Sequence, residues 1–246
     1  MKLIIALLLC LFLTQAFSQQ GTYVTAGRIE FEKKVNSHAL LAGEEDNDWY
    51  SLMKKTMPQF RITYYNLLFR NDSTLYMPGR ENLNNGNSGF MTTADENIVF
   101  SDLSRSQYVA AKLIFDEKFL IKDSTRQIKW KITSETRNIA GFDCRRANAL
   151  IMDSIYVVAF YTDMIIPPGG PEGFNGLPGM IMGVALPHEH VSWFATKVFA
   201  EEVKTTDFKI PAKGKAVTNK TLFDQLQGRL GDWGKWAKRN IVAAML

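Results

Sequence analysis

The distribution of hydrophobic and polar residues along the chain is typical of β-strands. Arg28–Glu32 and Gln127–Ile132 alternate strictly between apolar residues and charged or polar ones. Such alternation gives a strand one apolar and one polar face, as in an antiparallel sheet with one face in water. Further strand-like segments, separated by short polar breaks, are Phe60–Arg70, Thr74–Met77, Asn97–Phe100, Gln107–Phe115, Glu117–Lys122, Phe142–Met152, Ile155–Thr162, Met180–Leu186 and Val191–Val203. Because consecutive strands with short connections usually pair, we expect a large antiparallel, curved sheet.

Two segments have helical patterns. Asp48 is a suitable N-cap for a short helix in the N-terminal half. Thr218–Leu230 places apolar residues on one stripe that Trp233 and Trp236 continue, which predicts a C-terminal helix over about 218–239. We expect the two tryptophans to dock this helix on the sheet. Since no repeat or linker divides the chain, the prediction is a single, mainly β domain with these two helices.

The first eighteen residues have the features of an export signal. Lys2 supplies positive charge, and the eleven residues from Leu3 to Leu13 are apolar. Small residues precede a cleavage point predicted between Ser18 and Gln19. Eleven apolar residues are too few to cross a bilayer, which takes about 20. Residues 19–246 are therefore predicted to form an exported protein of the periplasm or outer-membrane periphery, with no transmembrane segment.

Charge and cysteine content narrow the possible functions. Without Lys2 the chain has 28 basic and 25 acidic residues, a net charge of +3 that is spread along the sequence and too weak to indicate nucleic-acid binding. Cys144 would be the single cysteine left after cleavage, so no intramolecular disulfide is expected. An unpaired thiol is most often a small buried hydrophobe. The neighbouring Arg145 and Arg146 keep a reactive thiol as the alternative.

His188 and His190 are the best metal-ligand candidates in the sequence. In an extended segment, residues two apart point to the same side, so both imidazoles would reach one Zn or Cu ion. The local sequence offers no third ligand, and Pro187 favours an exposed turn instead. The sequence contains no motif for a catalytic nucleophile or a cofactor, so we predict a protein without enzymatic activity and without a cofactor.

A proline- and glycine-rich segment from 167 to 181 separates two predicted strands. Glycine occupies every third position from 170 to 179, but this period is too short for a collagen helix, and no Lys-Ser or Lys-Thr follows for phosphate binding. Prolines restrict the backbone while glycines permit positive φ, which indicates a rigid loop that holds Phe174 and Leu177 in defined positions. The residues singled out are Pro167, Gly170, Pro171, Phe174, Gly176, Leu177, Pro178, Gly179, Met180 and Ile181.

The hexapeptide Gly176–Ile181 resembles the signature of the GLPGLI family, with Met180 where leucine is usual. Segments that match the family in the same order are Trp130–Ile132, Ile139–Ala147, Phe160–Thr162, Ile166–Pro167 and Gly170–Pro171. The sequence departs from the family after the signature, where VALPHEHVSW replaces the usual acidic strand. The resemblance implies a sheet-rich exported envelope protein of Gram-negative bacteria, associated with outer-membrane transport systems. It implies no catalytic residues.

Three functional hypotheses follow from the sequence. In the first, the chain is a non-enzymatic accessory protein whose Pro/Gly loop and adjacent sheet bind outer-membrane or other envelope proteins. In the second, it carries a lipid or another apolar ligand in a concave sheet. In the third, it handles copper or zinc through His188 and His190.

Overall fold

The fold is known from a computed structural model that describes residues 23–41, 48–82 and 94–246. The predicted export signal lies outside the described residues. The strands are β1 (Ala26–Asn36), β2 (Phe60–Arg70), β3 (Ser73–Pro78), β4 (Ile98–Asp102), β5 (Gln107–Ile114), β6 (Glu117–Ser124), β7 (Lys131–Ile139), β8 (Phe142–Ile151), β9 (Ile155–Thr162), β10 (Met180–Leu186), β11 (Val191–Phe199) and β12 (Lys215–Val217). The helices are α1 (Ser37–Leu40), α2 (Asp48–Thr56), α3 (Asn219–Leu230) and α4 (Gly234–Met245).

The strands form one large open sheet in the order β12-β6-β5-β4-β3-β2-β1-β11-β10-β9-β8-β7. Strands β2 to β6 and strands β7 to β11 are two antiparallel meanders, and β1 joins them by pairing with both β2 and β11. Strand β12 pairs in parallel with β6. The prediction of a mainly β fold with a large antiparallel sheet is confirmed, with this one parallel edge pair as an addition.

The segment between β9 and β10 shows how strongly the sheet is curved. A Cβ atom on Gly169 would lie 2.7 Å from the side chain of Thr74 on β3, and one on Gly173 would lie 2.8 Å from the ring of Tyr108 on β5. Two residues further on, the carbonyl oxygen of Asn175 accepts a hydrogen bond from Trp130, which directly precedes β7. Strands β5 and β7 are nine positions apart in the sheet, a distance of about 43 Å if the sheet were flat. The segment therefore crosses the concave face of a curved sheet.

Two elements differ from their sequence predictions. Strand β7 begins at Lys131 rather than Gln127, and the indole N–H of Trp130 donates to the carbonyl oxygen of Asn175 at 2.9 Å. The predicted C-terminal helix is divided into α3 and α4. Gly234 has a φ of +65° at the start of α4, a left-handed conformation that glycine adopts readily. The chain thus turns sharply where a single helix was expected.

Buried side chains attach the C-terminal helices to the sheet. Leu222, Leu226 and Leu230 of α3 and Ile241 of α4 are part of the hydrophobic core. The end of α4 is also held by two cations, since the ammonium of Lys112 donates to the carbonyl oxygen of Ala244 at 3.1 Å. The guanidinium of Arg126 donates to the carbonyl oxygen of Met245 at 2.6 Å. Positive charge at a helix C-terminus is favourable because carbonyl dipoles point toward it.

The buried ammonium of Lys112 makes stability dependent on pH. Burial lowers the pKa of Lys112 from 10.5 to about 8. Between these values the unfolded chain keeps a proton that the folded chain has lost, so the free energy of unfolding rises with pH. Between about pH 8 and pH 10.5, the free energy of unfolding of the wild type should rise by on the order of 3 kcal/mol relative to that of a Lys112→Met variant. Urea unfolding of both proteins at several pH values measures the difference, and a constant difference would contradict the assignment.

Candidate functional site

The Pro/Gly segment from 167 to 179, called here the signature loop, lies in the interior of the protein. Phe174 is 0% exposed and Leu177 is 2% exposed. Of the residues singled out from the sequence, Gly176 and Pro178 are exposed, and Pro167, Gly170, Pro171, Gly179, Met180 and Ile181 are buried. The loop fills the concave face because the sheet curves around it. Phe174 and Leu177 are therefore core residues and do not form the exposed surface through which the first hypothesis would have the loop bind a partner.

The backbone of the signature loop explains its glycines. The amide of Phe174 donates to the carbonyl oxygen of Pro171 at 3.0 Å, closing a tight turn. Within that turn Glu172 has a φ of 52°, a left-handed conformation that is uncommon for residues other than glycine. At the end of the loop Gly179 has a φ of +143°, and a Cβ atom there would lie 2.1 Å from the carbonyl oxygen of Thr162. The signature loop is thus a rigid segment held in the core by hydrogen bonds and close backbone packing.

Glu172 places a carboxyl group inside the protein. Its side chain is almost fully buried, and its Oε2 accepts a hydrogen bond from the amide of Asn97 at 2.8 Å. Among the described residues no partner is present for the other carboxylate oxygen, for Asn97 Oδ1 or for the hydroxyl of Tyr76. Burial and, second, the charge of Glu172 raise the pKa of Tyr76 well above its ordinary value. No sequence pattern identifies this buried carboxyl group, because an acidic residue between proline and glycine is typical of an exposed turn.

A second polar cluster surrounds Asp95, shortly before strand β4, and its negative charge is neutralised by two cations. The ammonium of Lys33 lies 3.1 Å from Asp95, and the guanidinium of Arg61 also donates to this carboxylate. Burial acts to raise the pKa of Asp95, but Lys33 and Arg61 together lower it. The hydroxyl of Tyr65 donates to the carbonyl oxygen of Asp95 at 2.7 Å, and its ring stacks on Tyr76 at 4.8 Å. These contacts connect the Glu172 region to strands β1, β2 and β3 as one interior network.

The two histidines of the metal hypothesis lie in an exposed turn. Pro187–Glu189 is a single turn of 3₁₀ helix, and His190 follows it with a left-handed φ of 53°. The extended geometry that would direct both imidazoles to one side is not formed. The third histidine, His38, contacts the carbonyl oxygen of Met57 at 3.0 Å in another part of the fold. The described residues contain no group of three or more His, Cys, Asp or Glu side chains that could hold a metal ion.

Cys144 is part of the hydrophobic core. Its side chain is fully buried, and its thiol donates to the carbonyl oxygen of Phe142 at 3.4 Å. Burial, reinforced by the charge of Asp143, raises the pKa of this thiol to about 12. Burial and the raised pKa both disfavour a thiolate at neutral pH, so the structure supports the buried-hydrophobe prediction for Cys144 over the reactive alternative.

Large exposed apolar side chains gather at the two C-terminal helices. Trp233 is 62% exposed, Trp236 44% and Phe223 42%, and Met152 at the β8–β9 turn is also exposed. Phe223 and Met152 line a groove of about 370 Å³ whose floor includes Ile155, Ala237 and Ile241. Lys238 lies at the same groove. We call Met152, Phe223, Trp233, Trp236 and Lys238 the C-terminal face.

The expected docking role of the tryptophans is correct for one of them. Trp236 stacks on Phe115, at the β5–β6 turn, with ring centroids 5.8 Å apart. The ring centroid of Trp233 lies 5.8 Å from that of Trp236, and most of the Trp233 side chain is in water. The break between α3 and α4 is what carries Trp233 away from the sheet. The described part of the chain has no helix of sufficient length and hydrophobicity to span a bilayer.

Comparison with known proteins supports the fold and does not extend to a function. No family model matches the chain, and no curated protein does. Among solved structures it is similar to PNGF-II in two crystal forms. The P21 form has a TM-score of 0.52 and 14% identity over 78% of this chain, and the C2 form has the same two values over 81%. The similarity covers 32% of the PNGF-II chain in both forms, so this chain spans about one third of that protein.

Proposed function

We propose that the chain is a non-enzymatic accessory protein of the bacterial cell envelope that binds another envelope component through its C-terminal face. The observation that carries this proposal is the contrast between the buried signature loop and the exposed Phe223, Trp233 and Trp236. Exposed large apolar side chains that gather in one region of a soluble protein, rather than being scattered singly, mark interaction sites. Tryptophan in particular contributes strongly to binding when it becomes buried.

The attachment of the helices supports a binding role because it makes the face rigid. Core leucines of α3 fix one side of the groove, and the hydrogen bonds from Lys112 and Arg126 fix the end of α4. A preorganised surface loses less conformational entropy on binding than a flexible one. The predicted export signal and the GLPGLI resemblance support a location in the envelope.

The structural arrangement favours this role over the two alternatives. A carrier of the expected type needs an open concave face, whereas the signature loop and the C-terminal helices occupy that face in the described structure. A copper or zinc site needs convergent ligands, and His188 and His190 lie in a turn without a third ligand among the described residues. The groove at Phe223 and Met152 is exposed, and it is therefore the binding site that we propose.

Retention in the envelope tests the proposal. In cells of the organism that carries the gene, wild-type protein should sediment with the envelope fraction. Replacing both Phe223 and Met152 with serine should lower the retained fraction about tenfold. Loss of two large apolar side chains at the centre of an interface typically costs that much binding free energy. Ile210→Ser is a matched control, since Ile210 is exposed in the loop before β12. Equal retention of the groove variant and the wild type, with both proteins folded, would contradict the proposal.

A further inference from the structure

The turn between α3 and α4 and the first three residues of α4 are exposed. Residues 231–236 all lie in water, and they include Trp233, Lys235 and Trp236. The two indole rings are neighbours at 5.8 Å. We call residues 231–238 the tip. An exposed pair of tryptophans combines a large apolar surface with an N–H donor, which is the combination found at the boundary between lipid and water.

The charges around the tip are mainly positive. Between 213 and 239 the chain has seven basic and two acidic residues. Three of the basic residues form ion pairs, since Lys215 and Arg229 contact Glu117 and Lys220 contacts Asp224. Lys235 and Lys238 are exposed, and the described structure gives neither of them an ion-pair partner. Asp232 is the acidic residue of the tip itself.

We propose that the tip attaches the protein to an anionic lipid bilayer. Trp233 and Trp236 enter the interface, while Lys235 and Lys238 contact lipid phosphates. This inference depends on the proposed function, because it names the envelope component that the C-terminal face binds. A bilayer suits the tip because it offers an interfacial layer for the indole rings and phosphate groups for the two ammonium groups, which are the two chemistries that the tip presents together. Attachment would be peripheral, since α4 has only twelve residues.

Binding to vesicles tests this inference directly. The full chain is expressed and the resulting protein is purified. It is then sedimented with phosphatidylcholine vesicles and, separately, with vesicles that also contain phosphatidylglycerol. Stronger binding to the anionic vesicles is expected, and added salt should weaken it. Lys235→Glu and Lys238→Glu should each lower binding at least about fivefold, as expected for one cation near an anionic surface. Trp233→Ala should lower it by about tenfold without loss of folding.

The controls separate this inference from the proposed function. Lys197→Glu changes an exposed lysine on β11, away from the tip in the sequence, and should leave vesicle binding unchanged. The inference is overturned if the wild type does not bind anionic vesicles, binds neutral vesicles equally well, or binds them regardless of the tip variants. If vesicle binding fails while envelope retention still depends on Phe223 and Met152, the accessory role stands and the partner is a protein.

Discussion

Replacement of Gly179 by alanine is expected to lower the free energy of unfolding by about 3–5 kcal/mol. The residue has a φ of +143°, and the new Cβ would lie 2.1 Å from the carbonyl oxygen of Thr162 and 2.9 Å from the Cα of Asp163. Both contacts are with backbone atoms, which cannot move without distorting β9. The effect is measured by urea unfolding, with the slope of the transition compared to confirm the same unfolding reaction.

Gly176→Ala is the matched control for this prediction. Gly176 belongs to the same glycine series, but a Cβ there would meet only the indole of Trp130 at 3.6 Å. Its φ of +89° still makes alanine strained, so a smaller loss of about 1–2 kcal/mol is expected. Equal effects at 176 and 179 would show that backbone flexibility, and not close packing of the loop against β9, accounts for the glycines.

Phe174→Ala is the second change with a large expected effect. The ring is fully buried under the concave sheet, and the guanidinium of Arg126 lies 5.5 Å from its centre. Removing it leaves a cavity that the rigid loop cannot close, with an expected loss of about 3–5 kcal/mol. Phe223→Ala provides the control because its ring is substantially exposed, and a loss below about 1 kcal/mol is expected there. A small effect at Phe174 would place the loop at the surface and contradict its role as a core element.

The strands were predictable from the sequence because their information is local. Alternation over Arg28–Glu32 identifies β1 and its buried face without knowledge of its partners. The joining of two meanders through β1 was not predictable, because β1 and β11 are paired across more than 150 residues of sequence. That pairing makes one continuous sheet of the two meanders, and Phe174 and Leu177 are buried against it. Rigidity of the signature loop could therefore be inferred from prolines and glycines, whereas its burial could not.

The candidate functional residues could likewise be predicted only where neighbouring residues in the sequence determine their geometry. Local patterns singled out His188 and His190, but the left-handed conformation of His190 removes the geometry that the pattern assumes. No sequence pattern predicts the burial of Glu172 or the contacts that Lys112 and Arg126 make with α4, because both depend on tertiary packing. Trp233 belonged to an apolar stripe that predicted docking. The turn before Gly234 interrupts that stripe and leaves its ring exposed.

The central claim is that the signature loop belongs to the core and that the C-terminal face is the exposed apolar surface. Its most direct test is the rate at which a thiol reagent modifies Leu177→Cys and Phe223→Cys in the folded protein, with the buried Cys144 as an internal reference. We expect immediate modification at 223, while at 177 the rate should match that of Cys144 and rise only on unfolding. Rapid modification of Leu177→Cys in a folded protein would contradict the account.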